Sequence, residues 1–262
     1  MTKHRGIILT LIGILFVGFT LILFISNPWN ATCIGDIPSP VGYTRLSVND
    51  PYTEYLRGLP LKKRGTLVHL YNGRIARLQF LSAGVIDMPV LSQHEQCADM
   101  VIRIRAEHLW QTGQYGKICF RSVAGKDQHY SGGYSRNEFE SYLRNVYGHS
   151  NTESVFKETK VRDIKDIRPG DVLVYPSRRK GRYGHAVLVA DVARNKSGKI
   201  AILCVEGNTP AREAHVVRNM NPTRNPWFIM DEDEDEDEIN VNVFKFKRKE
   251  LRYYLTPEAG SN

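Results

Sequence analysis

The clearest helical repeat of apolar positions runs through Cys97, Val101, Ile104 and Trp110, with Met100 and Leu109 beside them and Arg103, Arg105 and Glu107 on the other side. Ser92 and Glu95 fit an S-x-x-E capping box, so a helix is expected to open there, with Cys97 in its first turns on the buried face. A helix N-terminus carries partial positive charge and favours thiolate over thiol, but the field fades within one turn. A cap nearer Glu95 would bring Cys97 into it. Asp99, Arg103 and Glu107 share a face at four-residue spacing and are expected to form Asp99–Arg103 and Arg103–Glu107 pairs. Residues 135–147 repeat in the same way through Phe139, Tyr142, Leu143 and Val146, and residues 52–59 form a short helix ended by Gly58 and Pro60.

Elsewhere the period is that of strands. Residues 66–71 and 74–80 flank Asn72-Gly73, a strong hairpin signal. Residues 85–88 and 117–120 are short strands, and residues 155–160 are helical or irregular. Apolar runs at 167–175, 184–192 and 200–206, then 213–217, are joined by short polar loops. Loops of hairpin length cannot join parallel strands, so these segments form an antiparallel meander. Strand-like alternation resumes at 241–254.

Residues 7–26 carry no charge and follow Lys3 and Arg5. Twenty helical residues span roughly 30 Å, the thickness of a bilayer core. A retained single-pass anchor is expected, with residues 1–6 cytoplasmic and the body outside. A cleaved signal or a lipoprotein built on Cys33 are alternatives, but neither has a good processing site. Residues 27–36 are a linker and residues 37–257 one domain. The net charge of +8 is uneven, because residues 231–238 are an unbroken Asp/Glu run, expected as a disordered insertion. The remaining body is strongly basic and favours anionic partners such as a cell-wall polymer. No zinc-finger spacing or aromatic RNA-binding signature is present, so no nucleic-acid partner is expected.

Three features suit one chemistry. Cys97 lies on a helix, His185 follows Gly184 at the start of a strand, and Glu206 and Asn208 end the next strand. A cysteine nucleophile needs a base within hydrogen-bond reach and a third group to orient that base. His185 can serve as base, with either Glu206 or Asn208 steering it, and Gln93 or Gln96 can donate to an oxyanion. A cysteine on an apolar helix face is also ordinary core packing. His94 and Cys97 at i, i+3, joined by His185, form a zinc alternative, but no metal or cofactor is expected. Cys119 and Cys204 lie in apolar strands, where a disulfide between them is conceivable in an oxidising compartment.

The order of Cys97 on a helix, Pro169-Gly170-Asp171 before a strand, and Gly184-His185-Ala186-Val187 resembles papain-like hydrolases of the NlpC and CHAP type. That resemblance implies an α+β fold with a cysteine helix packed on an antiparallel sheet, here preceded by a transmembrane helix and an N-terminal β-hairpin region. It also implies Cys97 as nucleophile and His185 as base. The segment around Cys97 departs from it, reading Gln-Cys-Ala-Asp rather than Asp-Cys-Ser-Gly. More closely, the chain resembles the bacterial family domain of unknown function 4846. The segments that carry this are Ile37-Pro38-x-Pro40-x-Gly42-Tyr43, Leu59-Pro60-Leu61-Lys62, Val68-His69-Leu70-Tyr71-Asn72-Gly73, Gln96-Cys97-Ala98-Asp99, Arg103-x-Arg105-Ala106-Glu107, Pro169-Gly170-Asp171-Val172 and Gly184-His185-Ala186-Val187. That family implies no activity. The expected function is therefore a membrane-anchored envelope cysteine amidase or peptidase acting on peptide or cell-wall amides. The alternative is a binding module on the same scaffold with an inert Cys–His pair.

Overall fold

A computed structural model describes residues 25–230 and 238–255 of the chain. The centre is a nine-stranded sheet whose pairings are all antiparallel. Its strands in chain order are β1 (Tyr43–Arg45), β2 (Ser82–Val85), β5 (Thr159–Val161), β6 (Val172–Tyr175), β7 (His185–Asn195), β8 (Ile200–Glu206), β9 (His215–Val217), β10 (Trp227–Met230) and β13 (Leu251–Tyr254). The spatial order is β2-β9-β8-β7-β6-β13-β5, with β1 on β7 and β10 on β8. Two small hairpins stand apart: β3 (Cys119–Arg121) with β4 (Asp127–His129), and β11 (Glu238–Val241) with β12 (Phe244–Lys247).

Strands β7 and β8 are apolar on both faces because both faces are covered. On one side Ala186, Leu188, Leu203 and Val205 pack with Val101, Ile104 and Leu143. Those last three come from helices α2 (Cys97–Gln111) and α3 (Arg136–His149); α1 (Pro51–Arg57) and α4 (Thr152–Glu158) complete the helical layer. On the other side Val187, Val189, Ile202 and Cys204 pack with Ile239, Val241 and Phe246 of the β11–β12 hairpin. Asp191, fully buried in β7 beside a bulge, receives Arg45 Nε at 2.6 Å and Arg57 Nη2 at 2.8 Å.

The expected papain-like arrangement is therefore corrected to a mostly antiparallel sheet with four α-helices. The expected N-terminal hairpin is a turn without strands. Leu70 N–H reaches Arg74 O and Gly73 takes φ +78°, but only isolated bridges flank it. Val68 and Ala76 are buried, but Leu67, Tyr71, Ile75 and Leu78 remain exposed, so the segment buries too little to hold a strand pair in a sheet. The strand expected at 85–88 lies at Ser82–Val85.

The single-pass membrane placement is also corrected. Among the described residues no helix is long and apolar enough to cross a membrane. Most of the expected span, residues 7–24, lies outside the described residues. Its last two residues are docked on the domain: Ile25 O accepts from Arg218 Nη2 at 2.8 Å and Ser26 O from Gly65 N–H at 2.9 Å. Residues 27–36 likewise pack on the body, with Asn27 and Ile34 buried. The acidic run lies outside the described residues except for Glu238.

Candidate active site

Helix α2 starts later than the capping-box pattern suggests. Gln96 is its N-cap and Cys97 its first residue. The Asp99 carboxylate accepts the Gln96 N–H at 3.1 Å. Glu95 instead turns inward, where it accepts from Leu91 N–H at 2.7 Å and from Arg103 Nη1 at 2.8 Å. Arg103 also meets Glu107 at 3.4 Å, and Glu107 takes both terminal nitrogens of Arg136 at 2.7 Å. The expected Arg103–Glu107 pair thus forms, whereas Arg103 is drawn from Asp99 to Glu95. The later start puts Cys97 where helix N–H groups have no intrahelical partner and the dipole is strongest.

His185 begins β7 and Glu206 ends β8. Gly184 fixes the approach, since a Cβ there would lie 2.3 Å from both Thr152 Oγ1 and Tyr175 O. His185 Nε2 lies 3.0 Å from Glu206 Oε2. Cys97 stands close enough to His185 to act on the charge of its ring. His215 of β9, directly across from Glu206 in register, brings Nε2 to 3.4 Å from Glu206 Oε1. Cys97, His185 and Glu206 are 5%, 3% and 3% exposed.

The electrostatics couple these groups. Burial opposes charge on His185, but hydrogen bonds and negative charge from Cys97 and Glu206 outweigh it and raise the imidazole to about 9. Burial likewise opposes charge on Glu206, but hydrogen bonds from His185 and His215 overcome it and hold the carboxyl at about 2. The ring of Phe244, from the β11–β12 hairpin, stacks on His185 with centroids 3.6 Å apart. Cys97 lines a cavity of about 370 Å³ with His94, Gln96, Asp99, Tyr147 and Thr209 among its walls.

The other sequence-derived candidates divide. Gln96 lines the cavity, and its Oε1 accepts from Thr209 Oγ1 at 2.9 Å. Gln93 is exposed and meets only His94, 3.3 Å away, so it is not among the residues lining the cavity. Asn208 accepts its neighbour Thr209 N–H at 2.8 Å, and Glu206 rather than Asn208 contacts His185. Among the described residues no group of three or more His, Cys, Asp or Glu is placed to hold a metal ion. Cys119 and Cys204 are free thiols, so the conceivable disulfide is absent. His215, Asp99 and Phe244 were not expected here. Pairing of β8 with β9 was the signal for His215; Phe244 arrives from a hairpin with no local signature in the chain.

Fold and site together define a sheet protein with a buried Cys–His–Glu cluster where a helix start meets two strand ends, its cysteine lining a cavity. The chain belongs to the family Domain of unknown function (4846), which matches residues 35–133 and 126–253. No curated protein and no solved structure matches it, and the likeness to papain-like hydrolases gains no support from these comparisons.

Proposed function

We propose that the chain is a cysteine amidase or peptidase that works by acyl transfer through Cys97. The observation that carries this reading is the placement of His185 between Cys97, which acts on its ring charge, and Glu206 Oε2 at 3.0 Å, with Cys97 lining a cavity of about 370 Å³. Cys97 sulfur attacks an amide carbonyl, forming a C–S bond and a tetrahedral oxyanion. The Cys97 N–H at the helix start and the Gln96 side-chain amide are the donors nearest that oxygen. Collapse breaks the C–N bond, and the amine leaves with the proton held on His185. Water then adds to the thioester as His185 accepts its proton, the C–S bond breaks, and the proton returns to sulfur. Glu206 keeps the imidazole oriented and supports its charge.

One observation favours the second reading, a binding module with an inert pair: Cys97 and His185 are nearly closed to solvent, the latter beneath Phe244. Alkylation separates the two. Under the enzyme reading iodoacetamide modifies Cys97 at neutral pH faster than it modifies the urea-unfolded chain, and Cys97→Ala removes hydrolysis from any amide library hit. A native Cys97 slower than the unfolded thiol, together with hydrolysis that survives Cys97→Ala, contradicts it.

A further inference from the structure

Two buried polar atoms in the walls of the Cys97 cavity have no partner. Asp99 is 4% exposed and uses one carboxylate oxygen to cap α2; its other oxygen, Oδ1, makes no hydrogen bond. Tyr147 is 4% exposed, comes from the last turn of α3, and its hydroxyl makes no hydrogen bond. Both residues line the same cavity as Cys97. Leaving such groups unpaired is costly, and each one in a native protein calls for a partner outside the hydrogen bonds the chain itself makes.

The nearest cation does not. Arg103 is committed to Glu95 and Glu107. Asp99 is supported only by backbone N–H groups, and burial, reinforced by the nearby charge of Glu95, raises its carboxyl well above the ordinary range. Other charged or titratable groups around the cavity are His94, Glu153 and Arg182. Among the described residues of the lining, Arg182 is the one fixed positive charge. A buried carboxylate oxygen and a phenol oxygen from residues lining the same cavity offer two acceptors. That is the complement of a group with several N–H donors and one positive charge.

We propose that Asp99 and Tyr147 form a subsite for a primary ammonium group of the substrate. The placement beside Cys97 rests on the proposed acyl-transfer function, since it makes the ammonium a specificity handle for the amide that is cleaved. The ammonium belongs either to a peptide N-terminus or to a lysine-type side chain; the chemistry is shared, and probes tell the sources apart.

Calorimetric titration of the full chain with alaninamide, Nα-acetyllysine amide and N-acetylalaninamide tests this without requiring turnover. The expected result is that one of the two ammonium probes binds about tenfold or more tightly than the blocked control, as a charge-assisted hydrogen bond provides. Alaninamide as the winner assigns an N-terminus, and Nα-acetyllysine amide a side chain. The preference disappears in Asp99→Asn, whose amide oxygen still accepts the Gln96 N–H and so keeps the helix cap, as an unchanged thermal unfolding midpoint verifies. Tyr147→Phe weakens the ammonium probe by about threefold or more. Equal binding of all three probes, no binding at all, or a preference that survives Asp99→Asn overturns the proposal. The outcome is separable from the enzyme reading. Unreactive Cys97 with intact ammonium preference removes the acyl transfer but keeps the subsite; reactive Cys97 without the preference does the reverse.

Discussion

Two cysteines in this chain have a histidine close by, and their surroundings differ in nearly every respect. Cys119 and His129 face each other across the β3–β4 hairpin, with sulfur 3.7 Å from Nε2. Burial, with help from Asp127 and Glu158, pushes that thiol up to about 11. The negative charges there lie near the sulfur, and no carboxylate contact to the His129 ring accompanies the pair among the described residues. At the other site the negative charge is placed on the far side of the imidazole. Glu206 bonds His185 Nε2, His215 bonds Glu206, and the thiol sits at the first residue of a fifteen-residue helix. Proximity of sulfur to imidazole is common to both sites. What distinguishes them is which partner the carboxylate serves: beside a thiol it opposes thiolate, and behind an imidazole it supports the imidazolium that a thiolate needs.

Substitutions can break this comparison. The largest contrast is expected between Cys97→Ala, which abolishes amide hydrolysis, and Cys119→Ala, which leaves the rate within about twofold, as steady-state assays will read. His185→Ala is expected to cost about 10²–10⁴-fold in kcat/KM, the usual range for a general acid–base, whereas His129→Ala costs nothing measurable. Equal losses at the two histidines would mean the hairpin pair had been misjudged.

A smaller effect concerns stability against pH. His185 is raised from 6.5 to about 9, so its contribution is fully present below 6.5 and is lost as pH rises towards 9. Glu206 is lowered from 4.5 to about 2, so its contribution is present above 4.5 and is lost as pH falls towards 2. Urea unfolding at a series of pH values should show both slopes, and Glu206→Gln should flatten both, because the same contact produces them.

The smallest expected effect is at His215. Its Nε2 meets the outer carboxylate oxygen of Glu206 and its Nδ1 lies 3.1 Å from Glu213 O, so His215→Gln should lower kcat/KM by less than about tenfold. A loss as large as that of His185→Ala would make His215 part of the proton path rather than a positioning residue.

Much of the site could be read along the chain, and the failures have specific causes. His185 and Glu206 stand at strand ends marked by local pattern, and the β6–β7–β8–β9 meander follows from short loops between apolar runs. Local pattern could not choose between Glu206 and Asn208, because that choice depends on which side of the last strand residue faces His185. The start of α2 was misplaced because Ser92-x-x-Glu95 satisfies a capping rule that the fold does not use. Arg103, two turns into the helix, takes Glu95 into the interior and leaves the cap to Gln96 and Asp99. The same exchange hid Asp99, which helical spacing assigned to Arg103. Asn72-Gly73 encodes a turn, but a strand pair also requires a continuous buried face, and of the flanking side chains Val68 and Ala76 are buried while Leu67, Tyr71, Ile75 and Leu78 are exposed. Phe244 reaches His185 across the far side of the sheet, a contact that no local periodicity reports.

The claim on which the rest depends is that Cys97 and Glu206 together set the charge of the His185 ring. Nitrogen-15 NMR of the His185 ring, followed from pH 5 to 10, measures this directly. The expected result is an imidazolium that persists at pH 7, titrates near 9, and falls towards 6.5 in both Cys97→Ala and Glu206→Gln. A ring that is neutral at pH 7 and indifferent to both substitutions would contradict it.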